Sequence, residues 1–390
     1  INVGVASLSN DVDLVLGTGT AANVTLAGAL GTADGATSVE TLTFDTNGTV
    51  LVTGAIGDPA GTNNLGAVTV TQSGGTTFQS TVDAETVTLT DTVGTIAFQG
   101  DTNIDTGLTA AAGAGGYSVS LTGTSNFVAG ATNFLNTGSV TIGDGIGDTT
   151  QFALGVATTG GPSGTNVAGT VRTDLAGGSD IVLNGTTLTA NTTLNAGAGL
   201  IDVATVTDSG NGFALTLDQT TGSATLGGFT LGALNTVAGA YAVTLEDSGT
   251  VTGDTNFLNT VSVALGDAGA ATDVLAFNGG LDTTAVGTTF LNAQVSTADT
   301  QMDLGATTLN GTSTLLSGAA ATNIASVSGT GQTLNLQTGG GTGAVSISGA
   351  ATIGTLNTGA STYDIFFNAG AGGSTTTLET ATTFLNTGLV

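Results

Sequence analysis

The sequence predicts an all-β protein, a right-handed parallel β-solenoid (β-helix), elongated and with minimal helix, on three observations. Apolar residues alternate with Thr and Ser in short runs, Gly, Asn, Asp and Ser punctuate those runs, and similar segments return at two intervals.

The alternation is seen in Val68-Thr-Val-Thr71, Thr86-Val-Thr-Leu-Thr90, Tyr117-Ser-Val-Ser-Leu121 and Gly212-Phe-Ala-Leu-Thr-Leu217. A period of two puts one side of each run in a core and the other in solvent. Thr and Val suit the pleated surface. Hardly any segment carries a capped apolar stripe of period 3.6.

The longer interval is marked by Thr132-Asn-Phe-Leu-Asn-Thr137, which returns as Thr255-Asn-Phe-Leu-Asn-Thr260 and Thr382-Thr-Phe-Leu-Asn-Thr387. Tyr117, Tyr241 and Tyr363 precede the three copies. Thr288-Thr-Phe-Leu-Asn292 is a further partial copy. Leu-Asn pairs beginning at Leu234, Leu258, Leu291, Leu309, Leu334 and Leu356 give a shorter beat, roughly 18 to 25 residues for most gaps, the scale of one solenoid coil. We therefore read residues 1–390 as one continuous solenoid with approximate repeats 1–137 (divergent), 138–260 and 261–390.

Stacked coils place Leu over Leu and Val over Val, each worth roughly 1.5–3 kcal/mol when fully buried. Asn at the turns can tolerate the left-handed conformation and stack in hydrogen-bonded ladders. The two Pro residues, in Gly57-Asp-Pro-Ala-Gly61 and Gly160-Gly-Pro-Ser-Gly164, read as loops bulging from the coils. The Phe-Leu-Asn motif reads as core plus turn, and the three Tyr as coil packing residues.

Segments such as Thr41-Leu-Thr-Phe-Asp-Thr-Asn-Gly-Thr-Val50, Gly94-Thr-Ile-Ala-Phe-Gln-Gly100 and Leu65-Gly-Ala-Val-Thr-Val70 resemble coils of the filamentous-haemagglutinin-like and autotransporter-passenger β-strand-repeat proteins, giant bacterial surface exoproteins. The resemblance is one of texture along nearly the whole chain. It implies a right-handed parallel β-helix, export and surface adhesion, and it transfers no functional residues.

Composition narrows the function classes. The chain has 28 acidic residues against a single cation, Arg172, for a net charge of -27, and it has no Cys or His. A nucleic-acid binder needs a basic footprint, so nucleic acid is excluded as a partner, as are anionic membrane surfaces. No apolar run is long enough for a membrane-spanning helix. At 39% hydrophobic residues the chain is too apolar for a disordered acidic tail. Almost nothing is offered to trypsin-like proteases, which suits an extracellular, bacterial cell-surface location.

Phe384-Leu-Asn-Thr-Gly-Leu-Val390 leaves off about where Ile1-Asn-Val-Gly4 picks up, by comparison with Phe134-Leu-Asn-Thr-Gly-Ser-Val-Thr-Ile-Gly143. The expectation is that more solenoid continues both ends, covalently or by head-to-tail self-association into a filament.

Candidate chemistry is sparse. General acid–base work needs paired, perturbed carboxylates. By local density these are Asp101 with Asp105 and Asp144 with Asp148, which also read as turn formers. Gly143-Asp-Gly-Ile-Gly-Asp148 and Gly177-Gly-Ser-Asp180 are oxygen-rich and allow weak Ca²⁺ binding, without the tandem repeat of a calcium β-roll. Asn-x-Thr triplets start at Asn23, Asn47, Asn184, Asn191 and Asn310; they could be glycan acceptors in a eukaryote, but in a Thr-rich chain they read as chance and turn chemistry. Arg172 is expected to pair with a nearby carboxylate. No catalytic, cofactor or metal residue is assigned, and the chain reads as no enzyme.

The leading reading is thus a structural or adhesive fibre segment that meets a host-surface, matrix or carbohydrate receptor. The alternatives are a ligand-binding solenoid, with flat Thr arrays for ice or carbohydrate, and a polysaccharide-active β-helix enzyme. A Thr array needs Thr-x-Thr on every coil. The motif occurs at Thr41 to Thr43 and Thr69 to Thr71, but not at a constant interval.

Overall fold

The computed structural model describes residues 1–9, 11–31, 40–57, 64–173, 177–267, 273–368 and 374–390. Among them there is no helix, and the strands pair in parallel, each beside its counterpart one coil later. Contacts divide the chain into two units, Ile1–Val203 and Ala204–Val390. Each is a β-solenoid whose coils feed three parallel ladders.

In the first unit, one ladder holds Asp13–Thr20, Thr41–Thr46, Leu65–Gln72 and the later halves of Val82–Leu89 and Thr102–Ala110. The second holds Val50–Val52, Thr76–Phe78, Gly94–Phe98, Tyr117–Leu121 and Val140–Ile142. The third takes the earlier halves of Val82–Leu89 and Thr102–Ala110, then Ser125–Val128 and Thr149–Phe152. Thr132–Asn133 pairs with Val156–Ala157, and Phe134 bridges to Ala110 of the first ladder.

The second unit repeats the plan. Its first ladder includes Ala214–Gln219, Ala233–Thr236, Thr255–Asn256 and Leu281–Asp282. Its second includes Ala242–Leu245, Ser262–Leu265, Thr288–Leu291 and Thr376–Leu378. Its third includes Gly249–Val251, Asp273–Phe277, Ala293–Ser296, Ser313–Leu316 and the ends of Thr322–Leu336 and Ala351–Thr358. Coil length varies from 18 residues (Thr289 beside Thr307) to 28 (Asp13 beside Thr41), because loops at the corners differ while the strands stay in register.

Register builds the core. Leu226, Leu245, Leu265, Leu291 and Leu309 stand in one buried column. Val52, Phe78, Phe98, Leu121 and Ile142 form another, in which the rings of Phe78 and Phe98 stack with centroids 4.8 Å apart. The column principle also explains Gly249. It lies beside Phe229, and a Cβ there would come within 2.3 Å of the ring.

Three expectations need correction. The Leu-Asn beat does not mark one structural position. Leu234, Leu291, Leu309, Leu334 and Leu356 are buried, but Leu258 is 41% exposed, and its counterparts Leu135 and Leu385 are exposed too. In Phe-Leu-Asn the Phe is core as expected, but the Asn is buried with it: Phe134, Phe257, Asn136 and Asn259 have no exposed surface. Second, Asn is not the usual left-handed residue. Among the described non-glycine residues with positive φ, Asn368 stands with Asp11, Thr18, Asp91, Ser209, Asp299 and Gln337. Asn does stack on a strand face, where Asn357 donates to Asn335 at 2.8 Å and Asn335 to Thr314 at 3.1 Å. Third, Pro162 does not bulge. It is buried at a corner, and its carbonyl accepts the Asn184 amide at 2.6 Å. Pro59, with residues 58–63, lies outside the described residues.

Within the second unit the long repeat is out of phase with the coil. Leu258 N–H bonds the Thr236 hydroxyl, at the first ladder. Leu385 N–H bonds the Thr358 hydroxyl at the same 2.7 Å, but at the third ladder. The repeat therefore closes one face short of a whole number of coils.

Candidate functional site

The three copies of the long repeat build one recurring corner. Asn136 donates its side-chain amide to the carbonyls of Tyr117 (3.0 Å) and Ser139 (3.2 Å). Asn259 does the same to Tyr241 (3.1 Å) and Ser262 (2.8 Å). Asn386 does so to Tyr363 (3.0 Å) and Leu389 (3.4 Å). Some of these carbonyls also serve the backbone: Tyr117 accepts Gly138 N–H (2.9 Å), Ser139 accepts Val119 N–H (3.0 Å) and Leu389 accepts Ile365 N–H (2.9 Å), so the amide occupies a second acceptor position and ties two carbonyls of the corner together.

Each Tyr seals the same corner. The Tyr117 hydroxyl faces the carbonyls of Leu89 (3.1 Å) and Ala111 (2.7 Å), and that of Tyr241 faces Leu217 (2.9 Å) and Val237 (3.0 Å). The Tyr363 hydroxyl donates to Leu336 (3.0 Å) and accepts from Gly359 N–H (3.1 Å). Burial pushes the Tyr117 and Tyr241 phenols up to about 12. Tyr363 is raised too, chiefly by burial, against the lowering effect of its bonds to Gly359 and Thr358. The rings pack as expected, and the hydroxyls have a bonding role that spacing alone does not reveal.

The structure separates one predicted carboxylate pair and joins the other. Asp101 accepts Ser125 N–H at 2.9 Å, whereas Asp105 accepts from Asn103 (3.1 Å) and Asn64 (2.8 Å). Asp144 and Asp148 do meet. One oxygen of buried Asp148 accepts the N–H groups of Asp144 and Gly145, both at 2.8 Å. Asp144 is raised by desolvation first, then by its hydrogen bond and charge interaction with Asp148. The second unit repeats the device, with Asp273 accepting Asp267 N–H at 3.1 Å. Gly143 and Gly266 open the two loops at φ 71° and 83°, a conformation that favours glycine. Asp148 and Asp273 thus brace their loops by accepting backbone N–H groups.

Asp180 of the other oxygen-rich loop accepts Leu200 N–H at 2.8 Å. Among the described residues no group of three acidic side chains is placed to hold a metal. Of the Asn-x-Thr positions, Asn23, Asn47, Asn191 and Asn310 are exposed, while Asn184 is committed to the Pro162 carbonyl. Arg172 points outward between Gln151 and Asn195, and its Nε is buried without a hydrogen-bond partner among the described residues. Asp174, its closest acidic neighbour in sequence, lies outside them.

Two grooves among the described residues have plain linings. A groove of about 310 Å³ is lined by Thr132, Asn133, Leu154 and Val182 with one carboxylate, Asp180. Another of about 450 Å³ is lined by Asn335, Asn357, Thr358 and Thr383 and has no ionisable side chain.

One surface was hidden by the sequence spacing. On the first ladder of the first unit, Thr43, Thr69, Thr88 and Thr109 stand in a single outward column. Thr41 and Thr86 occupy the next column with Ala67 and Gly107, and Thr90 bonds the Thr71 carbonyl on the other side. Neighbours are about 4.8 Å apart along a column and about 6.7 Å apart along a strand. Steps of 26, 19 and 21 residues (43 to 69, 69 to 88, 88 to 109) obscure this regularity, because only the corners differ in length.

No family model, no curated protein and no solved structure matches the chain.

Proposed function

We propose that this chain is a segment of an extracellular structural or adhesive fibre, of the kind displayed by filamentous-haemagglutinin-like bacterial exoproteins, and not an enzyme. The observation that carries the reading is the reuse of one corner, Tyr with Asn, in three copies and both units. Side chains of this kind support coil stacking and leave a surface of Thr, Ser and Asn. The charge of -27 keeps such a body soluble by self-repulsion. Export, self-association and a matrix or carbohydrate receptor belong to this reading. Immunogold electron microscopy of producing cells tests it: labelled threads outside the cell are expected. Labelling confined to the cytoplasm, or release of reducing sugars from a polysaccharide panel, would overturn it.

The Thr column favours a second reading, a surface that orders water or binds ice. Hydroxyls and methyls at fixed spacing on a flat face can match a lattice, provided the face is rigid. Thermal hysteresis of a dilute solution, abolished by Thr69→Lys with Thr88→Lys, is the expected result. A flat response from the wild-type chain removes this reading.

A further inference from the structure

We propose that each Tyr–Asn corner binds one internal water molecule, held by the side-chain oxygen of Asn136, Asn259 and Asn386. In all three copies the amide nitrogen is committed to two backbone carbonyls, which fixes the direction of Oδ1. In all three, Oδ1 is buried and receives no hydrogen bond from the protein. Turning the amide over would not help, because both carbonyls would then face an oxygen. An acceptor left bare in the interior costs about 1–3 kcal/mol. The same omission at three corresponding positions marks a site that something else fills.

A fourth corner amide shows what that something supplies. Asn184 also gives its nitrogen to a carbonyl, that of Pro162, but its Oδ1 accepts the hydroxyls of Thr165 (2.7 Å) and Thr158 (3.2 Å). An O–H donor is thus what this corner chemistry uses when the protein provides one. The strand that leads into Asn259, Thr255–Asn256, pairs with Leu281–Asp282, which Thr283 follows. Its hydroxyl accepts from Thr289 (2.7 Å) and from Gly305 N–H (3.2 Å), which leaves its proton for a water. A monovalent cation fits less well. It needs several free oxygens, and the carbonyls next to Oδ1 already take the amide hydrogens.

The test is a crystal structure of the whole chain at about 1.2 Å resolution, grown with rubidium in place of sodium. The expected result is one peak about 2.8 Å from each of the three Oδ1 atoms, without anomalous signal. Rubidium scattering at the peaks would make the ligand a cation and overturn the assignment, and so would bare Oδ1 atoms. Oxygen-17 relaxation dispersion gives a solution check: long-lived internal waters are expected, and a count of zero also sinks the proposal.

Discussion

Asn259 reaches back 18 residues to the carbonyl of Tyr241 at 3.1 Å, and so ties the corner of one coil to the start of a strand in the coil before. The bond joins polar groups with no exposed surface, while Leu258 beside it faces solvent. Asn259→Ala removes two hydrogen bonds from a buried corner and should cost about 1–3 kcal/mol. Leu258→Ala should change stability by less than about 0.5 kcal/mol. Urea unfolding of both variants checks the ordering, and a larger loss at Leu258 would contradict it.

The aliphatic column gives a second expectation. Leu265 lies between Leu245 and Leu291 with no exposed surface. Leu265→Ala opens a cavity inside the stack and should cost about 2–5 kcal/mol. A midpoint within error of wild type would mean that the stack is loosely packed.

Alkaline sensitivity follows from the buried phenols. Tyr117 and Tyr241 have their pKa raised from 10.0 to about 12, so the fold prefers the protonated phenol. Their contribution is complete below pH 10 and is lost as pH climbs through 12. Thermal midpoints should fall over that window, with phenolate absorbance rising late. Tyr117→Phe with Tyr241→Phe should be less stable at neutral pH and lose less on going to alkali.

Proteolysis offers a simple probe of order. Arg172 is the single cationic side chain and sits on the paired strand Thr165–Arg172. Trypsin should leave the folded chain intact and cut the urea-unfolded chain once, into residues 1–172 and 173–390. Rapid native cleavage would show that this strand opens readily.

The fold was legible because its signals are local. Alternation in Thr41–Thr46 or Tyr117–Leu121 announces which residues face inward, and both strands bury the residues it names. Register was not legible, since it depends on how many residues each corner consumes. That is why the Thr43–Thr109 column is invisible in the spacing yet plain in the pairing. The corners themselves were misread for a related reason. Hydrophobicity assigns Leu258 to the core and Asn259 to a turn, but at this corner the amide donates to the carbonyls of Tyr241 and Ser262 and goes inside, while the leucine faces out. Of the carboxylate pairs, sequence proximity alone could not distinguish Asp144 and Asp148, which share a loop, from Asp101 and Asp105, which bond different partners.

Leu258 and Leu385 leave the second unit at different corners, because the repeat and the winding do not share a common period. The shared Phe-Leu-Asn-Thr sequence therefore yields different compass bearings. A stiff, planar partner laid along that unit can touch one of these leucines at a time, and any partner engaging both must bend around it. Duplication of this segment would multiply the directions in which the motif is presented, and not the density of the motif on any single side.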